Sequence, residues 1–207
     1  MNCILGIDVG TSGCKIIAVD GHCRILKSVT EEDPCYSPEA GWSEQEPGDW
    51  WDGVCRGLKK ITAALKDTKI LAVGFSGQMH GMVALDKNNR VIRRAILWND
   101  QRTEKQCAEI TAAAGGDASL LAVTNNRMLT GYTGGKILWM KENEPENYAK
   151  TKTVINPKDY IRFKLSGSIC TDVSDASGTG FFNVKKREWA FGLIKKAGLD
   201  PAMFPRV

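Results

Sequence analysis

The stretch GIDVGTSGCK, residues 6–15, groups Asp8, Gly10, Thr11, Ser12, Gly13 and Lys15 around one turn. The apolar runs on either side, CILGID and CKIIAVD, are of strand length, so the turn reads as the tip of a hairpin. Glycines let a backbone present successive N–H groups to an anion, and the hydroxyls of Thr11 and Ser12 add donors. An aspartate at such a turn suits a hydrated magnesium ion beside phosphates. The spacing is neither GxxxxGK[ST] leading into a helix nor GxGxxG. Two readings follow: a plain hairpin with a polar turn, or a phosphate hairpin between antiparallel strands, which the acid, two hydroxyls and lysine together favour.

Outward from the hairpin, DGHC turns the chain into RILKSVTEE, giving three successive antiparallel strands, with Asp20-Gly21 as a tight-turn signal. From Pro47 to Lys66, Trp51, Val54, Leu58, Ile61 and Leu65 recur at steps of three and four, the face of one helix. ILAVGFS is a continuous apolar run and predicts a strand buried on both faces. MVALD, the turn KNNR and VIRRAILW predict further paired strands. A helix is expected after NDQRT, others at GGKILWMKENE, PKDYIRFKLSG and EWAFGLIKKAG, the last closed by Gly198, with strands at TVIN and SGTGFFNV. The class is α/β: a mixed sheet opening with three antiparallel strands, helices on both faces, and no boundary within residues 1–207.

Charge narrows the function. Twenty-eight basic and 24 acidic side chains leave a net charge of +4 with no dense basic run, which argues against nucleic acid as a partner. The seven cysteines are odd in number and contain no CxxC pair, so neither a disulfide framework nor a thiolate zinc site is expected; buried thiols in a reducing compartment fit. MNCILGIDVG lacks the regions of a signal peptide, and no apolar stretch approaches the roughly 20 residues that span a bilayer. A cytoplasmic location without a membrane partner is the expectation.

Two more polar clusters follow apolar runs. Gln78, Met79 and His80, flanked by Gly77 and Gly81, end ILAVGFS. In open α/β sheets such strand ends form the ligand crevice, where amide and imidazole hydrogen-bond hydroxyls and a methionine packs on carbons. An ordinary structural histidine is the alternative. Trp98, Asn99, Asp100, Gln101 and Arg102 end the second run, with a capped helix start as their alternative. For Asp159 and Asp175 the expected role is capping, and Trp50, Trp51, Trp139 and Trp189 are expected in packing.

GIDVGTSGCK, GWSEQEPGDWW, GFSGQMHG, AILWNDQRT, GGKILWM, PKDYIRFKLSG and TDVSDASGT, in this order, resemble the FGGY carbohydrate kinases through essentially the whole chain, and most closely their xylulose kinase branch. The resemblance implies a ribonuclease-H-like, actin-related N-terminal domain that binds an open-chain ketose, with ATP and Mg2+ as cofactors. Asp8, Gly10, Thr11, Ser12 and Lys15 would face the nucleotide phosphates, with Asp8 the metal-associated acid. Gln78, Met79, His80, Gly81, Trp98, Asn99, Asp100 and Arg102 would line the sugar site. The implied reaction is phosphorylation of D-xylulose to D-xylulose 5-phosphate. The family's general base lies beyond Val207, so no catalytic residue is expected in this chain, which is expected to be a truncated N-terminal portion, inactive alone. The expected partner is the sugar, with a homodimer left open. An actin-like ATP-driven interaction protein and a non-catalytic sugar-binding module are the rival readings.

Overall fold

The computed structural model describes residues 1–207. In chain order the elements are β1 (Asn2–Val9), β2 (Gly13–Val19), β3 (Ile25–Glu32), β4 (Glu44–Gln45), α1 (Pro47–Ala64), β5 (Lys69–Gly77), β6 (Val83–Leu85) and β7 (Ala95–Ile96). They continue with α2 (Glu104–Ala114), α3 (Asp117–Thr124), α4 (Thr133–Asn143), α5 (Pro145–Lys150), β8 (Thr153–Ile155), α6 (Pro157–Ser166), α7 (Val173–Ser177), β9 (Phe182–Asn183), β10 (Glu188–Trp189) and α8 (Phe191–Lys196).

The main sheet has the order β3-β2-β1-β5, antiparallel within the first three strands and parallel between β1 and β5. Period-two alternation decides its faces: Cys3, Leu5, Ile7 and Val9 turn inward with Cys14, Ile16 and Ala18. Trp50, Val54 and Ile61 of α1 and Tyr160 and Ile161 of α6 close over them. Each such large side chain contributes roughly 1.5–3 kcal/mol on burial. Close packing of α1 needs Gly57, where a methyl would come within 2.6 Å of Ile16 Cδ1. Trp51, Leu58 and Leu65 flank this stripe half-buried. A second core, around Met82, Ile96, Ile137, Met140, Phe181 and Trp189, joins α2, α4, α8 and the β9–β10 hairpin to the inner strands.

Several expectations are corrected. The ILAVGFS strand, β5, is an edge strand with Leu71 56% and Val73 40% exposed, rather than one buried on both faces. Continuous apolarity reports that both faces can be apolar, not that both are covered. The helices sit on one face of the main sheet; on the other, Ile4 and Ile25 are exposed. The turn after β2 is longer than Asp20-Gly21: Asp20 N donates to Arg24 O, and Cys23, not Gly21, takes positive φ while Asp20 Oδ1 accepts from His22 N and Arg24 N. SGTGFFNV contributes only Phe182–Asn183 to a strand, and Trp189 lies on β10 rather than on a helix. All seven cysteines are free thiols, but only Cys3, Cys14 and Cys107 are buried.

Candidate functional site

Antiparallel register sets Asp8 opposite Lys15, both exposed, and parallel register sets Asp8 beside Ser76, whose hydroxyl donates to Asp8 Oδ1. Between them the turn closes through Gly10 N–H to Gly13 O at 3.0 Å. Gly13 is required by close approach: a methyl there would lie 2.2 Å from Glu31 O of β3. Two hollows meet at Asp8. One, of about 750 Å³, is lined by Gly10, Thr11, Ser12, Gly13, Thr30 and Glu32; the other, of about 520 Å³, lies on the open sheet face beside Lys15, Gly74 and Ser76. Of the hairpin residues expected at a phosphate, Gly10, Thr11 and Ser12 line the first hollow, Lys15 the second, and Asp8 both.

Behind the turn stands an amide latch. Gln45 Nε2 donates to Thr11 O at 2.8 Å, and Gln45 Oε1 accepts from Gln78 Nε2 at 2.8 Å and from Trp50 Nε1 at 3.1 Å. Gln78 Nε2 also reaches Gly10 O, and Gln78 Oε1 accepts from the Thr11 hydroxyl. Gln78, expected at the sugar, is 8% exposed, and its amide is engaged in holding the hairpin.

The second tip adjoins the first. Met79 is 53% and Trp98 47% exposed, and Trp98 Nε1 donates to Thr11 Oγ1 at 3.0 Å. Asn99 is exposed beside it. His80 is half-buried, with φ +66°, Nδ1 2.7 Å from Gly178 O and its ring 4.6 Å from that of Tyr132. Burial, reinforced by the Lys136 charge, holds its pKa below the usual histidine value despite the Gly178 bond.

Three other residues expected at the sugar are enclosed by the fold. Asp100 is fully buried, accepts Ser43 N–H at 2.6 Å, and pairs with Arg102 through Nε at 2.9 Å and Nη2 at 2.7 Å. Arg102 also meets Glu44 and lies 3.6 Å over the Trp42 ring, leaving neither group a surface to offer. Gly81 is buried because a methyl would come within 2.6 Å of Pro157 Cγ. Capping is redistributed as well: Asp172 caps α7, accepting from Ser174 N and Asp175 N. Asp159 and Asp175 instead surround Lys158, whose Nζ lies 2.8, 2.6 and 3.2 Å from Asp159, Asp172 and Asp175. Although burial opposes its charge, the hydrogen bonds to Asp159 and Asp172 hold the Lys158 ammonium above the usual lysine range.

The sequence matches the N-terminal domain of the FGGY family of carbohydrate kinases over residues 3–207. The chain belongs to that family. It is 39% identical to the xylulose kinase of Bacillus subtilis over 207 residues, covering 99% of this chain and 41% of the Bacillus protein. A crystal structure of a "xyloylose kinase" from Brucella ovis superposes with a TM-score of 0.93 at 35% identity, over 99% of this chain and 42% of that one. The gluconate kinase of Lactobacillus acidophilus superposes with a TM-score of 0.92 at 27% identity, over 99% and 41%. The fold is that of the actin-like ATPases.

In this FGGY domain the sequence reading missed three groups that shape the two tips. Ser76 gives no signal beyond its parity with Asp8, which requires knowing that β5 pairs with β1. Gln45 lies within GWSEQEPGDWW, a motif of the resemblance that assigns it no role. Lys136 did leave a mark, a lone cation within the apolar GGKILWM, and it is fully buried against His80.

Proposed function

We propose that this chain forms the sugar-binding and first phosphate-contacting part of a kinase that transfers the γ-phosphoryl group of MgATP to the terminal hydroxyl of D-xylulose, yielding D-xylulose 5-phosphate and ADP. One observation carries the reading: the Trp98 indole N–H on the Thr11 hydroxyl, which joins the phosphate hairpin to the exposed sugar-side tip at a single sheet edge. A phosphoryl donor and a short polyol held there would share one mouth. Such transfer depends on positioning and charge stabilisation more than on covalent chemistry by the protein.

Ser12 and Lys15 are exposed donors for phosphate oxygens, and Asp8 offers an exposed carboxylate. That donor set fits Mg2+, which keeps much of its water shell and takes other ligands from phosphates; when bound, the ion would neutralise charge on the transferred group. Met79 and the Trp98 ring supply carbon-facing surface, while His80 and Asn99 supply polar contacts. The general base is assigned beyond Val207. The chain spans about two fifths of the length of the relatives it matches, and identity with a xylulose kinase supports the ketose. A gluconate kinase of equal fold likeness makes the sugar the point to test.

The test is ADP release by the whole enzyme with D-xylulose, D-ribulose, glycerol and gluconate. The highest kcat/KM is expected with D-xylulose; no turnover of any ketose would overturn the reading. Turnover by the 207-residue chain alone would overturn the placement of the base.

A further inference from the structure

His80 is held from more directions than a surface contact requires. Its φ of +66° lies in the left-handed region, a strained choice for a residue with a Cβ. Its carbonyl oxygen accepts Lys136 Nζ at 2.7 Å and Thr133 Oγ1 at 3.1 Å, so the peptide cannot turn back to an ordinary conformation without orphaning both donors. Lys136 is itself fully buried, and its Nζ donates onward to Gly131 O at 2.6 Å. Burial pulls its pKa down to about 7, yet both acceptors are carbonyls, which an amine and an ammonium serve equally. A buried lysine is costly for packing alone.

The ring is fixed separately. Gly178 O is only an acceptor, so Nδ1 at 2.7 Å must carry a proton. Gly178 has ordinary backbone angles, φ −73° and ψ −3°, so nothing in its conformation calls for glycine. Space does: a methyl there would lie 2.6 Å from both His80 Nδ1 and Cε1. Tyr132 covers the ring at 4.6 Å. Nε2 has no partner in the chain and is not sealed from solvent.

We infer that Lys136, Thr133 and Gly178 are positioning residues that hold His80 in its left-handed conformation as the Nδ1–H tautomer, so that Nε2 is presented as a hydrogen-bond acceptor for a sugar hydroxyl. The charge acting on the ring is that of Lys136 on α4; it and burial lower the imidazole pKa and so favour the neutral ring at pH 7.5. A bare Nε2 takes a hydroxyl proton and has nothing to give a carbonyl or carboxylate oxygen. The destination of that lone pair rests on the sugar reading above; the tautomer and its supports do not.

Histidines number only two, so in the 207-residue chain carrying His22→Gln every imidazole signal belongs to His80. Long-range 1H–15N spectra at pH 7.5 should show a protonated Nδ1 and an unprotonated Nε2. Gly178→Ala should shift the ring signals to the mixed-tautomer pattern of a mobile imidazole while the backbone amide spectrum stays folded. Lys136→Met and Thr133→Val are the second pair, read the same way if either folds. An Nε2–H tautomer in the parent chain, or ring signals indifferent to Gly178→Ala, would overturn the inference. Adding D-xylulose should move Nε2 more than Nδ1. A fixed tautomer that D-xylulose leaves untouched upholds the positioning and rejects the sugar assignment, so the two fail separately.

Discussion

The Asp33 carboxyl is pressed against Gly53: a methyl on Gly53 would come 3.1 Å from Asp33 Oδ1, and neither carboxyl oxygen of Asp33 has a hydrogen-bond partner. Burial, aided by Asp49 and Glu31, outweighs Arg56 and pushes its pKa up to about 6. The unfolded chain releases this proton near pH 4. Between those values the folded state holds a proton the unfolded state has lost, so this group's contribution is full below pH 4 and declines as pH rises through 6. Asp33→Asn should therefore stabilise the chain at pH 7, by on the order of 1–3 kcal/mol, with no benefit at pH 4. Urea titrations across that range check it; an equal effect at both ends would refute it.

Arg102 and Met79 separate structure from recognition. Arg102→Met leaves Asp100 buried without its partner and should destabilise the chain by about 3–5 kcal/mol. Met79→Ala, at a half-exposed tip, should change stability by less than about 0.5 kcal/mol while raising the sugar KM of the whole enzyme. Thermal melts beside sugar kinetics read both. Arg102→Met with an unchanged melt would return that residue to the list of ligand contacts.

Gly13→Ala tests the hairpin as a shape. Its methyl would run into Glu31 O, and backbone cannot yield there as a flexible side chain can. A loss of about 3 kcal/mol or more is expected. In any fraction that still folds, nucleotide affinity should fall more than sugar affinity, as parallel calorimetric titrations of the whole enzyme would show.

The hairpin was legible because its chemistry and its fold are local: Asp8, Gly10, Thr11, Ser12 and Lys15 lie within one turn and its two strands. The helix Pro47–Ala64 was legible from its period and from Pro47 in its first turn. What escaped depends on partners far away in the chain. Asp100 and Arg102 have the look of strand-end ligands until Ser43, Glu44 and Trp42 arrive to enclose them. Gln78 has the look of a sugar contact until Gln45 claims its amide. Edge position is likewise a property of the whole sheet, so the apolar run of β5 said nothing about its exposure.

Trp98 offers the sharpest test of whether the two tips act as one. Phe retains a flat apolar surface but cannot donate to Thr11, so Trp98→Phe removes the hydrogen bond from the Trp98 side of the tip to the hairpin. A neutral, half-exposed bond contributes about 0.5–1.5 kcal/mol, so the melting temperature should barely move. If the bond keeps phosphate and sugar surfaces in register, kcat/KM of the whole enzyme should fall roughly 3- to 10-fold, and by the same factor whether ATP or D-xylulose is varied. Trp98→Ala should add a further loss confined to the sugar, because the ring goes as well. A Phe variant with wild-type kinetics for both substrates would show that the tips are merely neighbours.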